Sequence, residues 1–76
     1  MRLHLGGHLN YLDALQRVDL EIQLSGKQRL RDVLATLKIP AAEVFITSIN
    51  GEVVPFEDAW VQPDDVVKLY PAMGGG

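Results

Sequence analysis

The residues of this chain best placed to do chemistry are its last seven, Tyr70-Pro71-Ala72-Met73-Gly74-Gly75-Gly76. They leave an apolar strand pattern, carry no charged side chain and stop on three glycines. Glycine loses more backbone freedom on ordering than any other residue, so such a segment gains little by folding back. The pattern predicts a folded body over residues 1–71 and a free, extended tail over residues 72–76. At about 3.3 Å per extended residue, that tail reaches roughly 16 Å from the body. This is the form of a probe that enters another protein's active site. It is equally the form of a frayed terminus or an expression-vector remnant. The tail alone does not separate these readings.

No other group of residues competes with it. His4 and His8 are the only histidines. If Met1 to Leu5 is a strand they share no helical face, and a metal site needs three or four converging ligands, so no metal is expected. Gly6-Gly7-His8-Leu9-Asn10 lacks the glycine spacing and Lys-Ser/Thr ending of a phosphate loop; it reads as a strand exit. Asp64 and Asp65 are adjacent, and adjacent residues of an extended segment point to opposite faces, so they read as turn residues. The serines, aspartates and histidines form no nucleophile motif. With no cysteine, disulfides, thiol catalysis and cysteine-ligated metals are excluded together. The chain is therefore expected not to be an enzyme.

Composition sets the frame for that expectation. Seventy-six residues allow one domain. Hydrophobic residues make up 47% of the chain and charged residues 22%, the balance of a folded domain rather than a disordered one. The net charge of −3 argues against nucleic acid as a partner. No apolar run is long enough to span a membrane, and Met1-Arg2-Leu3-His4-Leu5 is not the apolar core of a signal peptide. A cytoplasmic location is the simplest expectation.

The elements that must position the tail are legible in order. Met1, Leu3 and Leu5 alternate with Arg2 and His4, the period of a half-buried strand. Leu9, Leu12 and Leu15 are spaced by three, which suits a helical turn or a long loop. Val18, Leu20, Ile22 and Leu24 alternate with Asp19, Glu21 and Gln23 and predict a second strand, antiparallel to the first. Ser25-Gly26-Lys27-Gln28 fits a capping box. Leu30, Val33, Leu34 and Leu37 then form one apolar helical stripe, ended by Pro40. Lys27, Arg29, Arg31 and Lys38 make the outer face basic, which is ordinary for a solvated helix and suits an acidic partner less often. Val44 to Ile49 predicts a strand. Asn50-Gly51 predicts a tight hairpin into Glu52-Val53-Val54, and Phe56 to Val61 an irregular stretch that packs Trp60 on the body. Gln62-Pro63-Asp64-Asp65 reads as a turn, and Val66 to Tyr70 as the last strand. Strand, strand, helix and three further strands give an α+β sheet with one helix across one face. If the last strand lies beside the first near the sheet centre, it projects the tail from one pole.

That element order, with Ile49-Asn50-Gly51-Glu52-Val53-Val54-Pro55 and the glycine terminus, resembles the β-grasp, ubiquitin-like sulfur carriers. The resemblance covers essentially the whole chain and is weakest from Gly6 to Arg17. Asn50 to Pro55, Trp60 and the closing glycines resemble the thiamine-biosynthesis carrier (ThiS). Tyr70-Pro71-Ala72-Met73-Gly74-Gly75-Gly76 resembles the ending of the small subunit of molybdopterin synthase (MoaD), with Ala72 in place of a second proline.

The resemblance implies a co-substrate. A partner adenylyltransferase of the ubiquitin-activating type would use ATP to activate the Gly76 carboxylate, and a sulfur donor would convert it to a thiocarboxylate. A downstream synthase subunit would consume that sulfur in making a cofactor of the molybdopterin or thiamine type. Gly75 and Gly74 would give the slimness needed to thread a channel, and Tyr70, Pro71 and Met73 would anchor the tail's base on a partner. No bound cofactor is implied, since ATP belongs to the partner. Two other roles remain open: a protein modifier joined to target lysines through Gly76, and an interaction subunit whose tail docks without chemistry. An exposed Phe45 on the sheet would mark the docking surface.

Overall fold

The structure, a computed structural model, describes residues 1–72. Its centre is a pair of parallel strands, β1 (Arg2–Leu5) and β7 (Val66–Tyr70), with Leu3 opposite Val67 and Leu5 opposite Leu69. Alternation puts Leu3, Leu5, Val67 and Leu69 on one face, all fully buried. Arg2, His4, Val66 and Lys68 take the other. Antiparallel strands extend the sheet on both sides. β2 (Asp19–Glu21) pairs with β1, β4 (Ile46–Ile49) pairs with β7, and β5 (Glu52–Val54) closes the far edge, giving the order β2-β1-β7-β4-β5. The last strand thus lies beside the first, in the middle of the sheet.

The main helix, α1 (Leu30–Leu37), buries Leu30, Val33 and Leu34 against this inner face, with Leu37 partly covered. Each buried stripe residue contributes about 1.5–3 kcal/mol of transfer free energy. One helix across a mixed five-stranded sheet is the β-grasp, α+β arrangement.

The helix starts later than the capping box predicts. Gln28 and Arg29 form a short strand, β3 (Gln28–Arg29), paired antiparallel with β6 (Trp60–Val61), and the Leu30 N–H donates to the Ala59 carbonyl at 3.0 Å. The helix N-cap is Arg29, with no side-chain cap. Backbone pairing across thirty residues displaces the local Ser25–Gln28 cap because it satisfies the Leu30 donor and seats fully buried Val61 in the core. The same pairing takes Lys27 and Arg29 off the helix. Trp60 is correspondingly not packed inward: the residue is 43% exposed, and its ring lies beneath the Arg29 guanidinium, 4.6 Å from the ring centre, and the Lys27 ammonium, at 5.5 Å.

The remaining differences are of extent. The second strand is Asp19–Glu21 rather than the longer alternating run, and Val18 is exposed. The strand expected from Val44 starts at Ile46. Thr47 faces the core, while Phe45, just before the strand, is 70% exposed. Leu9–Leu12 is a 3-10 turn with Leu9 buried, whereas Leu15 is exposed. The Asn50-Gly51 turn is as expected. Both residues have positive φ, 53° and 87°, and Ile49 faces Glu52 across the two-residue loop.

Candidate functional site

β7 is flanked on both sides up to its last residue. On one side the Gly6 N–H donates to the Leu69 carbonyl at 2.7 Å; on the other the Phe45 N–H donates to the Tyr70 carbonyl at 2.8 Å. The chain therefore leaves the sheet from its most constrained strand. Tyr70 is half-buried, Pro71 buried and Ala72 exposed.

What Tyr70 and Pro71 rest on is the glycine pair at the end of β1. A Cβ on Gly6 would lie 2.3 Å from Tyr70 Cδ1 and 2.5 Å from Cε1. A Cβ on Gly7 would lie 2.7 Å from Pro71 Cγ, and Gly7 has φ +55°, which disfavours a side chain independently. Two successive rings are thus seated over two successive residues without side chains. The Leu9 N–H donates to the Gly6 carbonyl at 3.1 Å, and fully buried Leu9 ties the glycine pair to the core from below.

The surroundings of the exit are polar on one side and apolar on the other. His4 Nδ1 lies 2.9 Å from Asp19 Oδ1, and its ring centre is 6.1 Å from that of Tyr70. The exposed phenyl of Phe45 stands on the β4 side. The turn at the opposite end of β7 is tied down by side chains. Asn50 Nδ2 donates to Asp65 Oδ1 at 3.0 Å, the Val66 N–H donates to Asn50 Oδ1 at 2.9 Å, and the Gln62 N–H donates to Asp65 Oδ2 at 2.9 Å. Asp65 is therefore a turn residue, as its position predicts.

Of the residues singled out in the tail, Tyr70 and Pro71 are brought together on the glycine seat. Met73, Gly74, Gly75 and Gly76 lie outside the described residues. Sequence reasoning took Gly6-Gly7 only as a strand exit and missed its role beneath the rings. The available signal was the pairing of two adjacent glycines after the first strand with an aromatic-proline pair after the last.

Among the described residues no group of three or more histidines, aspartates and glutamates could hold a metal ion. A solvent-open concavity of about 390 Å³, walled by Asn50, Glu52, Asp58, Trp60 and Gln62, contains none of the exit residues. Among the described residues, the strongly lowered pKa of Asp13 has a structural cause. The Arg17 guanidinium, hydrogen-bonded to the Asp13 carboxylate at 3.0 Å through both Nε and Nη2, holds Asp13 down to about 2 from 3.8 against the opposing effect of burial. The backbone N–H groups of Arg17 and Leu15 add to the lowering. No helix among the described residues is long and apolar enough to cross a membrane.

No curated protein matches the chain. A family does: the ThiS family matches residues 9–76, from the buried Leu9 through the hairpin and β7 to the terminal glycine. With a β-grasp body whose central strand runs into the tail, and with that match over most of its length, the chain belongs to the ThiS family of small sulfur carriers.

Proposed function

We propose that the Gly76 carboxylate is the working group of this carrier. A partner adenylyltransferase activates it with ATP as an acyl-adenylate, and a sulfur donor displaces AMP to leave a thiocarboxylate. A synthase then takes the sulfur into a cofactor of the thiamine or molybdopterin type. The chain itself acts as co-substrate and supplies position and reach.

The observation that carries this reading is the course of β7. The central strand, hydrogen-bonded on both sides, passes Tyr70 and buried Pro71 and emerges at exposed Ala72. Four residues follow Ala72, the last three of them glycines, the carboxylate being that of Gly76. A rigid launch point followed by a slim segment suits delivery of a terminus into a narrow site. Exposed Phe45 beside the exit supplies an apolar surface for the partner to hold while the terminus is engaged.

Intact mass of the chain co-expressed with its genomic neighbours tests the reading. A gain of about 16 Da, oxygen replaced by sulfur at the C-terminus, is the expected result. Unmodified chain together with high-molecular-weight conjugates that release it on isopeptide cleavage would replace the carrier with a protein modifier. Unmodified chain alone, in the presence of a competent activating enzyme, would leave a docking subunit.

A further inference from the structure

The seat at Gly6-Gly7 lies far in sequence from the group that reacts, yet it fixes the direction in which the chain leaves the body. Tyr70 and Pro71 cannot keep their positions once either glycine gains a Cβ, because the nearest ring atoms would be 2.3 and 2.7 Å away. Gly6 cannot retreat easily. The Gly6 N–H donates to the Leu69 carbonyl and its carbonyl accepts from the Leu9 N–H, so both backbone groups of Gly6 are held. Relief must come from the rings, and the rings are the last anchored residues before Ala72.

We infer that Gly6 and Gly7 are positioning residues for the base of the C-terminal tail: by holding the Tyr70 and Pro71 rings they set where and in what direction the chain leaves the body at Ala72, and so how readily a partner enzyme can engage and modify Gly76. This inference rests on the carrier reading for its functional half. Displacing a reacting group by about 1 Å costs up to about a hundredfold in rate. Gly6→Ala is therefore expected to slow thiocarboxylation by about 10- to 100-fold while the body stays folded. Because the two closest collisions are with one ring, and the next atom, the Leu69 carbonyl oxygen, is 3.1 Å away, Gly6→Ala should lose most of its effect in a Tyr70→Ala background. Gly7→Asn is the second variant, since asparagine tolerates positive φ and so isolates the collision with Pro71; it should show the same coupling to Pro71→Ala.

The experiment follows the rate of mass gain for wild type, the single variants and the two double variants, co-expressed with the same genomic neighbours. In parallel, proton NMR of each chain alone records the Gly6 α-protons. Lying against the Tyr70 ring, they should carry a ring-current shift in wild type and should lose that shift in Tyr70→Ala. Folded Gly6→Ala and Gly7→Asn chains modified at the wild-type rate would overturn the inference, as would equal losses from Gly6→Ala with and without the Tyr70 ring. No mass gain in wild type would overturn the carrier reading instead. The seat would then stand or fall on the α-proton shift.

Discussion

Thr47 carries a hydroxyl that has no hydrogen-bond partner among the described residues, although its side chain is 2% exposed on the inner face of β4. An unpaired buried hydroxyl costs about 1–3 kcal/mol, and valine has nearly its shape without the polar atom. Thr47→Val should therefore stabilise the body by about 1–2 kcal/mol, read as a higher urea midpoint at unchanged slope. A lower midpoint would show that the hydroxyl is satisfied after all. Lys38 is a second residue held against its preference. It sits at φ 60°, ψ 32°, where its N–H donates to the Ala35 carbonyl and the next N–H, of Ile39, donates to Leu34 at 3.0 Å. That is a Schellman closure with lysine in the place usually taken by glycine. The helix therefore ends before Pro40 exerts its restriction, and buried Ile39 packs with Leu34 in the core. Local conformational cost at Lys38 is offset by apolar burial one residue later.

At the scale of elements, the segment from Asp13 to Arg17 has no regular structure, and one buried carboxylate organises it. Asp13 accepts hydrogen bonds from the N–H groups of Leu15 and Arg17 and from the Arg17 guanidinium. Gln16, at φ 55°, turns the chain within that ring of donors. Because the folded pKa is depressed, from 3.8 to about 2, the carboxylate's contribution is complete above its unfolded value and is lost as pH falls through the folded one. Unfolding free energy should therefore decline between about pH 4 and pH 2. Asp13→Asn should flatten that decline and lower stability near neutral pH by about 1.5–3 kcal/mol, the range for hydrogen bonds to a charged group. Urea titrations at both ends of the window check it, and an unchanged slope in Asp13→Asn would assign the acid sensitivity to other carboxylates. The β3–β6 pair works at the same scale. It decides where α1 begins and leaves Trp60 outside, under two cations, an arrangement worth about 0.5–1 kcal/mol at an exposed site.

For the whole molecule, the reading proposed above divides folding from function at Pro71. Among the described residues, every buried residue of the core lies at or before it. Deleting Gly76, or replacing Gly75 with a bulky residue such as tryptophan, should leave the thermal midpoint unchanged while abolishing modification by the activating enzyme. Loss of both stability and activity together would contradict that division. Much of this plan was determined by the sequence alone. Alternation wrote β1, the apolar residues between the Gln62–Asp65 turn and Pro71 wrote β7, the Leu30-Val33-Leu34-Leu37 stripe wrote the helix, Asn50-Gly51 wrote the hairpin, and the element order, the residues from Ile49 to Pro55 and the glycine ending carried the family resemblance. These are short-range signals, set by the two-residue period of a strand, the 3.6-residue period of a helix and the φ of a turn, so neighbouring residues suffice to express them. The tertiary structure decided what depended on distant partners. It preferred the β3–β6 ladder to a plausible capping box, turned Trp60 outward, and placed the Gly6-Gly7 pair beneath Tyr70 and Pro71. A seat made by missing side chains has no local signature. Its meaning appears only when a parallel pairing brings residues more than sixty positions apart into contact.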